Sequence, residues 1–579
     1  MPDDFYDPVT NVTISIPPWS TRLWESVKHP DPNVLLAMVL GPLLMLLITR
    51  YLSGRPREGS GKERSAWMLP YWIPFLGHGF HFLWDPVSLF KEAREQSPHS
   101  IFSLYLGGTT HNIISDPKLV QRFVMAQRES HVQFTPVART IVQRFFGLPK
   151  SSKEKYDKAW EELNSSFSYI ARDPFFGTLL NGTVKNIENN VSHMISFVDT
   201  AIDLEPWEKW GNASYISDEE TEIDFAAMIR DVMGHCSVPV IYGSAFIEKF
   251  PNVLHDVYEM DKGMPYFLMG FPSWFPWPSV LKAHIARNRV WQALDDQQRA
   301  FDDLSEGKEI DYSWGDLDDV SDFSKRRHEI YRKYGFEVRE RGEFTTLWAL
   351  IINSSLLVYW HLLYILSTPD LLSRLRTEIA PYATVEKPLS IGKISEAPRL
   401  SINHEGLAKN CHLFKSTYFE ALRLTDQPWS VRKVSNDVVI SGDGGEEEEN
   451  GENGEKYVMR EGEYITMPHD LHMRDPIYFV NPEKFEPERF LERDEEGNGR
   501  AEMGSIRPYG GGVSQCKGRG LAERECISLV AGIIAFWDIE LVDKKKGWVV
   551  PPQVKTTAVA RPLFDTRVRI RRRKFEWEV

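Results

Sequence analysis

The stretch Tyr509-Gly-Gly-Gly512-Val-Ser-Gln-Cys516-Lys-Gly518-Arg-Gly-Leu-Ala-Glu-Arg decides the fold of this chain. An aromatic residue stands seven positions before Cys516, a glycine four before it and a glycine two after it. Glycines remove Cβ bulk and permit tight or left-handed backbone, so a large flat group could lie against this loop. Good helix formers follow Gly518, which predicts a cysteine just before a helix N-terminus, where a thiolate is stabilised. Taken alone, such a loop is more often an ordinary turn with a buried thiol.

Two further motifs precede this loop in a fixed order. Glu420 and Arg423 lie three positions apart in a stretch of helical pattern, 416–424, so they share one helix face and can pair. Arg489, in the sequence PERF, lies between that helix and the cysteine and could join the pair. Each charge alone is costly to bury, so the three make sense inside a core only as a set. Each pair in isolation is typical of a surface salt bridge, but the ordered set rarely arises by accident.

Together these motifs resemble those of the cytochromes P450, the haem-thiolate monooxygenases. The resemblance runs from the proline-rich segment near Pro70 to the C-terminal strands. It is closest to the branch of sterol 7α- and 12α-hydroxylases and prostacyclin synthase, and to related fungal enzymes of secondary metabolism. It implies a mainly α-helical fold with small β-sheets and a haem b whose iron is bound by the Cys516 thiolate. Tyr509, Gly512 and Gly518 would shape the haem-binding loop.

The resemblance also implies roles outside that loop. Glu420, Arg423 and Arg489 would form a structural triad behind the haem. Arg432, in the sequence SVRK, stands where the family often places an arginine on a haem propionate. Ser514 departs from the pattern, because many members have an arginine or histidine two positions before the cysteine. Propionate binding must therefore rely on other donors, such as Arg432.

A long apolar helix is predicted over 344–360, where the family places the helix that crosses the haem. The family motif there, Ala/Gly-Gly-x-Asp/Glu-Thr, organises water for proton delivery, and the Thr-Pro pair after the helix sets the register. Ile352 then replaces the acid, Asn353 replaces the threonine and Ser354 follows. Asn353 can donate and accept hydrogen bonds but cannot shuttle protons at neutral pH. Asn353 and Ser354 are the candidate catalytic residues; the alternative for Asn353 is a polar side chain that satisfies a helix-bend carbonyl.

Composition limits the remaining possibilities. The chain has 579 residues, of which 42% are hydrophobic and 26% charged, as is typical of a globular protein with a large core. A net charge of −14 argues against nucleic acid as a partner. The four cysteines include no CxxC pair, which argues against a disulfide framework or a structural zinc site and fits a reducing compartment.

Residues 32–52 predict a single transmembrane anchor. The run 32–49 is uncharged and close to the minimum length for crossing a bilayer. It starts too late for a signal peptide, and no small-residue cleavage site follows it. Basic residues follow the run and mostly acidic residues precede it, so the positive-inside rule predicts a lumenal segment 1–31 and a cytosolic body at the endoplasmic reticulum. Asn11, in the sequence NVT, is then a predicted glycosylation site.

The rest of the chain is predicted to form one catalytic domain. Residues 53–69 have the composition of a linker and hinge, and the domain extends over 70–579. Within it, the acidic, low-complexity stretch 442–455 is predicted to be a disordered insertion in a β-hairpin. The charged stretch 303–343 is predicted to be rich in loops.

The resemblance implies a monooxygenase, dependent on NADPH and O2, that hydroxylates or epoxidises a lipophilic small molecule. Electrons would come from the NADPH–cytochrome reductase, a diflavin protein, and the substrate would be a sterol, terpenoid, polyketide or indole-type product of fungal secondary metabolism. Because Ile352 cannot transfer a proton, a redox-neutral haem-thiolate isomerase or dehydratase stays open. A haem carrier without enzymatic activity is disfavoured, because 344–360 contains no histidine or methionine to serve as a second axial ligand.

Overall fold

The computed structural model describes most of the chain and divides it into two compact units. The residues that it describes are 4–7, 12–15, 32–54, 63–97, 99, 101–125, 131–388, 390–391, 394–395, 398–441, 456–493, 499–555 and 558–575. The first unit is formed by Met1–Ile113 and Asn436–Ile465, and the second by Ile114–Ser435 and Thr466–Val579. The predicted glycosylation site Asn11 and the acidic insertion 442–455 lie outside the described residues. The boundaries at 53–69 and 70–579 stay predictions.

The first unit contains one long apolar helix, α1 (Pro32–Ser53). Its residues Leu36–Ser53 have a mean hydropathy of 1.8, and none of them is buried within the protein. Helix α1 is therefore a candidate membrane span. The second helix of comparable length and hydropathy, Glu343–Ser367, is 72% buried within the protein and is therefore a core helix. The remaining helices of the first unit are Gly79–Trp84 and Pro86–Gln96.

Short strands complete the first unit. Val438–Ser441 pairs antiparallel with Lys456–Met459, so the two strands that flank the acidic insertion form the predicted hairpin. Ile101–Leu106 and Thr109–Ile114 are joined at Gly107 and Gly108, whose φ angles of 55° and 94° favour glycine. The other strands are Asp4–Asp7, Val12–Ser15, Glu63–Arg64 and Trp67–Met68, and Tyr464–Pro468 belongs partly to each unit.

The second unit is mainly α-helical, as the sequence predicts. Five of its helices carry the site and are labelled here: α2 (Phe225–Tyr242), α3 (Val253–Lys262), α4 (Glu343–Ser367), α5 (His412–Thr425) and α6 (Arg519–Phe536). The others are Pro117–Met125, Thr135–Ile141, Lys153–Ser166, Phe175–Ser192, Pro206–Trp210, Ser244–Lys249, Met264–Met269, Pro278–Ser305, Asp322–Lys333, Leu371–Ile379, His404–Asn410 and His469–Met473. A π-helix covers Val142–Phe146, and 3-10 turns cover Lys150–Ser152, Phe167–Ile170, Tyr312–Trp314, Val338–Glu340 and Gly512–Ser514.

The stretch 303–343 is rich in irregular segments, as predicted, but also holds a helix that the sequence analysis did not name. It contains the 12-residue helix Asp322–Lys333, whose first turn is capped by Ser321 through a hydrogen bond from the Ser324 N–H. Its Arg327 is buried and donates to Glu343 at 2.7 Å. The charges of this stretch are therefore partly internal ion pairs, which sequence composition does not distinguish from a solvated loop.

The sheets of the second unit are small. The largest is antiparallel, in the order Trp537–Leu541, Arg567–Arg572, Glu220–Asp224 and Ser214–Ser217. The basic C-terminal run is thus a strand, and its Arg569 pairs with Glu222 at 2.7 Å. The other strands are Val132–Gln133, Ala383–Glu386, Ser390–Ile391, Ile394–Ser395, Arg399–Ile402, Trp429–Val434, Leu491–Arg493, Gly499–Ala501, Gln553–Val554 and Arg561–Pro562.

Helix α4 runs through the core of this unit. Its N-terminal half contributes Leu347 and Ile351 to one hydrophobic cluster, and its C-terminal half contributes Leu357 and Leu363 to another. A helix that is apolar nearly all round belongs in a core. The faces that remain accessible on it therefore indicate where the packing opens.

Candidate haem-binding site

The cysteine loop, residues 509–518, exposes its thiol. Cys516 is exposed, whereas the other three cysteines of the chain are buried. The Cys516 N–H donates to the Tyr509 carbonyl at 3.0 Å, and the turn passes through Gly510 and Gly512 with φ angles of 67° and 65°. Helix α6 begins at Arg519, three residues after the cysteine, as the sequence predicts.

Burial is the largest influence on the protonation of this thiol. Cys516 is accessible but closely surrounded by protein, and this partial desolvation raises the pKa of the thiol. The N–H groups of Gly518 and Arg519 and the guanidinium of Arg519 oppose that rise. Coordination to a metal removes a thiol proton outright, so a bound cation would complete the shift toward thiolate.

Gly518 leaves space beside the cysteine loop, whereas Tyr509 anchors the loop. Gly518 has φ −86°, so backbone strain does not require glycine there, and a Cβ would meet nothing within 4 Å. The protein leaves this side of the loop open. The hydroxyls of Tyr509 and Tyr418 share a hydrogen bond of 2.7 Å, which ties the loop to α5.

The predicted triad residues meet in one buried cluster. Arg423 donates to both oxygens of Glu420 at 2.8 Å, and Arg489 donates to the same carboxylate at 3.0 Å. The side chains of Glu420 and Arg423 are fully buried, and that of Arg489 is 10% exposed. Arg423 also donates to the carbonyls of Met473 and Pro482. Each charge in the cluster thus has a partner, as buried charges need.

Helix α4 has one accessible face in its N-terminal half. Ala349 is exposed in the middle of a core helix, and Asn353 and Leu356 are partly exposed at spacings of four and three residues, which places all three on one side. Ile352 and Ser354 are buried. The register predicted from the sequence therefore sets Ala349 and Asn353 on the open face.

Of the two candidate catalytic residues, Asn353 lies on the open face of α4 and Ser354 is buried away from it. The Asn353 Oδ1 accepts the Val559 N–H at 3.3 Å, and its Nδ2 has no partner within the described part of the chain. The structural alternative for Asn353, a bond to a helix-bend carbonyl, is not observed. The Ser354 hydroxyl donates to the Leu350 carbonyl at 2.8 Å, away from the open face, and the Ser354 carbonyl faces the Cys526 thiol of α6 at 3.7 Å.

Two arginines lie beside the loop: Arg432, which the sequence analysis names, and Arg507, which it missed. Arg432 is buried and donates to the Ser514 hydroxyl, so the residue that departs from the family pattern holds an arginine in place. His469 shares a hydrogen bond of 2.9 Å with Ser430. Burial lowers the pKa of His469 to about 3, and the nearby charge of Arg507 adds to this effect. In the sequence, only its place two positions before Tyr509, in RPYGGG, signals Arg507.

These donors fit a haem with a thiolate ligand. The thiol is accessible at a helix start, and the glycine that follows leaves space beside the loop. Arg432, which donates to Ser514, suits the carboxylates of a porphyrin, which form strong charge-assisted hydrogen bonds with guanidinium groups. The site thus has the features of a haem-thiolate oxidoreductase.

Comparisons with known proteins agree with this class. The family model described as Cytochrome P450 matches residues 343–562, which include every candidate residue from Asn353 to Gly518. The chain is 24% identical to "Cytochrome P450 monooxygenase poxD" of Penicillium oxalicum over 90% of this chain and 95% of the relative. It is 21% identical to "Cytochrome P450 7B1" of Mus musculus over 89% and 92%. It is 24% identical to "7-alpha-hydroxycholest-4-en-3-one 12-alpha-hydroxylase" of Homo sapiens over 93% and 99%.

Residues 343–562 are therefore a cytochrome P450 domain, and over most of its length the chain is related to fungal cytochrome P450 monooxygenases and to sterol 7α- and 12α-hydroxylases. It is therefore an oxidoreductase of the monooxygenase class, and the family implies haem iron on a cysteine thiolate.

Proposed function

We propose that this chain is a membrane-anchored monooxygenase that hydroxylates or epoxidises a lipophilic small molecule, with Cys516 as the axial ligand of haem b. The observation that carries the proposal is the accessible Cys516 thiol at the start of α6, in the same unit as the open face of α4. Bound haem supplies the activation of dioxygen. The protein's own residues bind and orient that group and shield it from water.

Three sets of side chains would hold the haem. The start of α6 favours the ionised form of Cys516. Arg432 and Arg507 would neutralise the propionates, and the neutral His469 beside them adds no competing charge at pH 7. The triad of Glu420 would fix α5, which in turn holds the cysteine loop through Tyr418.

Asn353 is the proposed polar residue of the distal side. Its Oδ1 is fixed by Val559, which orients the Nδ2 donors toward the open face where they can hold water or substrate. Because neither Asn353 nor Ile352 can release a proton, protons for the reaction would come from ordered water or from the substrate. We propose only a packing function for Ser354, whose hydroxyl is satisfied within its own helix.

The proposed substrate is a sterol, terpenoid, polyketide or indole-type molecule of fungal secondary metabolism. Support for a sterol-like shape comes from the human relative, whose name gives a hydroxylated steroid as substrate. Support for secondary metabolism is the relation to fungal monooxygenases such as that of Penicillium oxalicum. Aromatic side chains next to the open face of α4, including Trp348 and Phe146, suit such apolar rings.

Two partners complete the proposal. Electrons would come from NADPH through a diflavin reductase that docks near Lys517 and Arg519, which are exposed beside the thiol. Helix α1 would anchor the protein in the endoplasmic reticulum, with residues 1–31 in the lumen and the catalytic part in the cytosol. Glycosylation of Asn11 tests this orientation: Asn11→Gln should abolish an endoglycosidase-sensitive mass shift, and a shift that survives would contradict it.

The test of the main proposal needs no substrate. Microsomal protein with its reductase is placed under carbon monoxide, and the red-shifted thiolate band formed with NADPH is compared with the band formed with dithionite. Substantial reduction by NADPH supports the monooxygenase. Absence of the band with both reductants would overturn the haem-thiolate assignment.

A redox-neutral isomerase or dehydratase is the second candidate. The observation that favours it is the apolar Ile352, buried where most of the family has an acid. Such an enzyme needs no electron supply. Reduction by dithionite alone, unchanged when candidate lipophilic ligands are added, would favour the isomerase over the monooxygenase.

A further inference from the structure

A buried carboxylate lies against α4 near its open face. Asp261, close to the C-terminal end of α3, is 7% exposed. Its Oδ1 accepts a hydrogen bond of 2.9 Å from the Trp348 Nε1. Within the described residues, this carboxylate makes no other hydrogen bond and no ion pair. Most of its acceptor capacity is therefore unused, since an ionised carboxylate offers about four lone-pair sites.

The charge of Asp261 is costly in this position. Burial raises the pKa of its carboxyl to about 6, and the Trp348 hydrogen bond and the charges of Arg561 and Lys262 oppose the rise. At neutral pH the group is thus still mostly ionised. A buried charge with one neutral hydrogen bond is incompletely compensated, and a further donor would stabilise it.

One contact and two spacings relate Asp261 to the neighbourhood of Asn353. Its partner Trp348 immediately precedes the exposed Ala349 on α4. Arg561, whose charge acts on Asp261, follows two residues after Val559, the partner of Asn353. Trp348 and Asn353 are five residues apart, which is about 7.5 Å along a helix axis and about 140° around it, so they lie on different sides of α4. Asp261 therefore borders the same stretch of α4.

The tryptophan that binds this carboxylate packs among other aromatic side chains. The ring of Trp348 packs edge-on against Phe145 at 5.8 Å and Phe146 at 5.7 Å between centroids. Phe267 lies 6.0 Å from Phe145. An apolar wall with one placed polar group is the usual construction of a pocket that orients a lipophilic ligand.

We propose that Asp261 is a specificity-determining residue of the substrate chamber. Its free oxygen accepts a hydrogen bond from a hydroxyl or amine on a lipophilic substrate and holds the far end of that molecule while the reacting carbon lies near Asn353. The inference rests on the proposed function and adds a chemical class to it, because the substrate must already carry a hydrogen-bond donor.

Matched imidazoles test this directly by a spectroscopic readout. The imidazole nitrogen binds haem iron and shifts its absorption to the red, which reports affinity without turnover. The probes are 1-alkylimidazoles with alkyl chains of about six to about twelve carbons. Each is paired with the analogue that ends in a hydroxyl and the one that ends in an amine. Chains of these lengths reach across and beyond the rise of about 7.5 Å between Trp348 and Asn353. The full-length protein is used with its haem.

In the unsubstituted protein we expect one chain length at which the hydroxyl or amine analogue binds about tenfold more tightly, relative to its alkyl partner, than at the other lengths. Asp261→Leu should abolish that preference, because a buried hydroxyl then has no acceptor. Asp261→Asn should retain part of the preference for hydroxyl and lose that for amine, since the amide accepts but carries no charge.

A control separates ligand binding from packing. Trp348→Phe removes the same internal hydrogen bond as Asp261→Leu but keeps the carboxylate, so the donor preference should persist. Equal preference in the unsubstituted protein and Asp261→Leu at every length would overturn the assignment of Asp261 while leaving the haem assignment intact. Absence of any red shift with all probes would overturn both.

Discussion

Two buried carboxylates of the second unit, Glu420 and Asp261, are compensated in opposite ways. Glu420 is fully buried, and both its oxygens accept hydrogen bonds from arginines of the triad. Asp261 is nearly as buried but has a single neutral donor, Trp348. The completely paired carboxylate can only hold the fold together, whereas the incompletely paired one can still bind a ligand. Pairing, rather than burial, distinguishes the two functions.

A third carboxylate extends the comparison. Asp231 on α2 is 1% exposed, and neither of its oxygens has a hydrogen-bond partner among the described residues. Burial raises the pKa of this carboxyl to about 7, and the adjacent Arg230 opposes the rise. Below about pH 7, Asp231 thus avoids an unpaired buried charge by retaining its proton.

The largest expected effect concerns Cys516, whose thiolate has its proposed partner only in bound haem iron. Cys516→Ser should abolish the red-shifted thiolate band of the ferrous carbon monoxide complex, because a hydroxyl does not reproduce the electron donation of a thiolate. Cys411→Ser is the control, since Cys411 is buried at the start of α5. An unchanged band in Cys516→Ser would show that another residue ligates the iron.

Removing the carboxylate of Glu420 should destabilise the fold strongly. Glu420→Gln leaves two arginines facing a neutral group, and breaking a buried pair in this way costs about 3–5 kcal/mol. Thermal unfolding and haem content of the purified protein measure it. The control Glu405→Gln disrupts an exposed pair with Lys409 and should have no measurable effect. Equal stability of the two variants would refute a structural triad.

Asp231 should make the stability of the protein fall as pH rises. The unfolded carboxyl loses its proton near pH 4 and the folded one near pH 7, so between these values the folded state binds more protons and loses stability with each step in pH. Relative to the natural protein, Asp231→Asn should gain stability across this window, by about 4 kcal/mol at most, and show no further gain above pH 7.

The measurement for Asp231 is the melting temperature at pH 5, 6, 7 and 8. The amide of Asp231→Asn has its own burial cost, but that cost does not change with pH, so the slope isolates the carboxyl. Asp203→Asn, a change at an exposed position, is the control and should follow the natural protein. Parallel curves for Asp231→Asn and the natural protein would mean that Asp231 is ionised when folded.

A smaller effect is expected from Asn353. Asn353→Ala removes the donors on the open face of α4 and should lower product formed per NADPH by about five- to tenfold, with normal haem content. Ser354→Ala is a matched control at the next position, because its hydroxyl serves only the Leu350 carbonyl. If Ser354→Ala uncouples the reaction more than Asn353→Ala, the assignment of the open face is wrong.

The sequence predicts those parts of this site that depend on local spacing. The cysteine before α6, the helix that carries Glu420 and Arg423, and the register of Asn353 all follow from residues close together in the chain. Helical and turn periodicity is enough to position such groups.

The groups that sequence reasoning missed are joined across long stretches of chain. Asp261 meets Trp348 across 87 residues. Arg432 itself was predicted, but its bond to Ser514, across 82 residues, was not. The helix Asp322–Lys333 was missed for a related reason, since its Arg327 pairs internally with Glu343. Charge in a sequence indicates solvent by default, and only the tertiary partner shows that it is buried.

The smallest predicted effect concerns the hydrogen bond between Tyr418 of α5 and Tyr509 of the cysteine loop. Tyr509→Phe leaves the Tyr418 hydroxyl buried without its 2.7 Å partner and should cost about 1–2 kcal/mol of stability. The double variant Tyr418→Phe, Tyr509→Phe removes both hydroxyls and should recover most of that loss, because no unsatisfied group remains. Chemical denaturation of the three proteins measures the coupling. If the double variant is less stable than Tyr509→Phe, the shared hydrogen bond does not hold the cysteine loop. The triad of Glu420 would then support the loop of Cys516 through other contacts of α5.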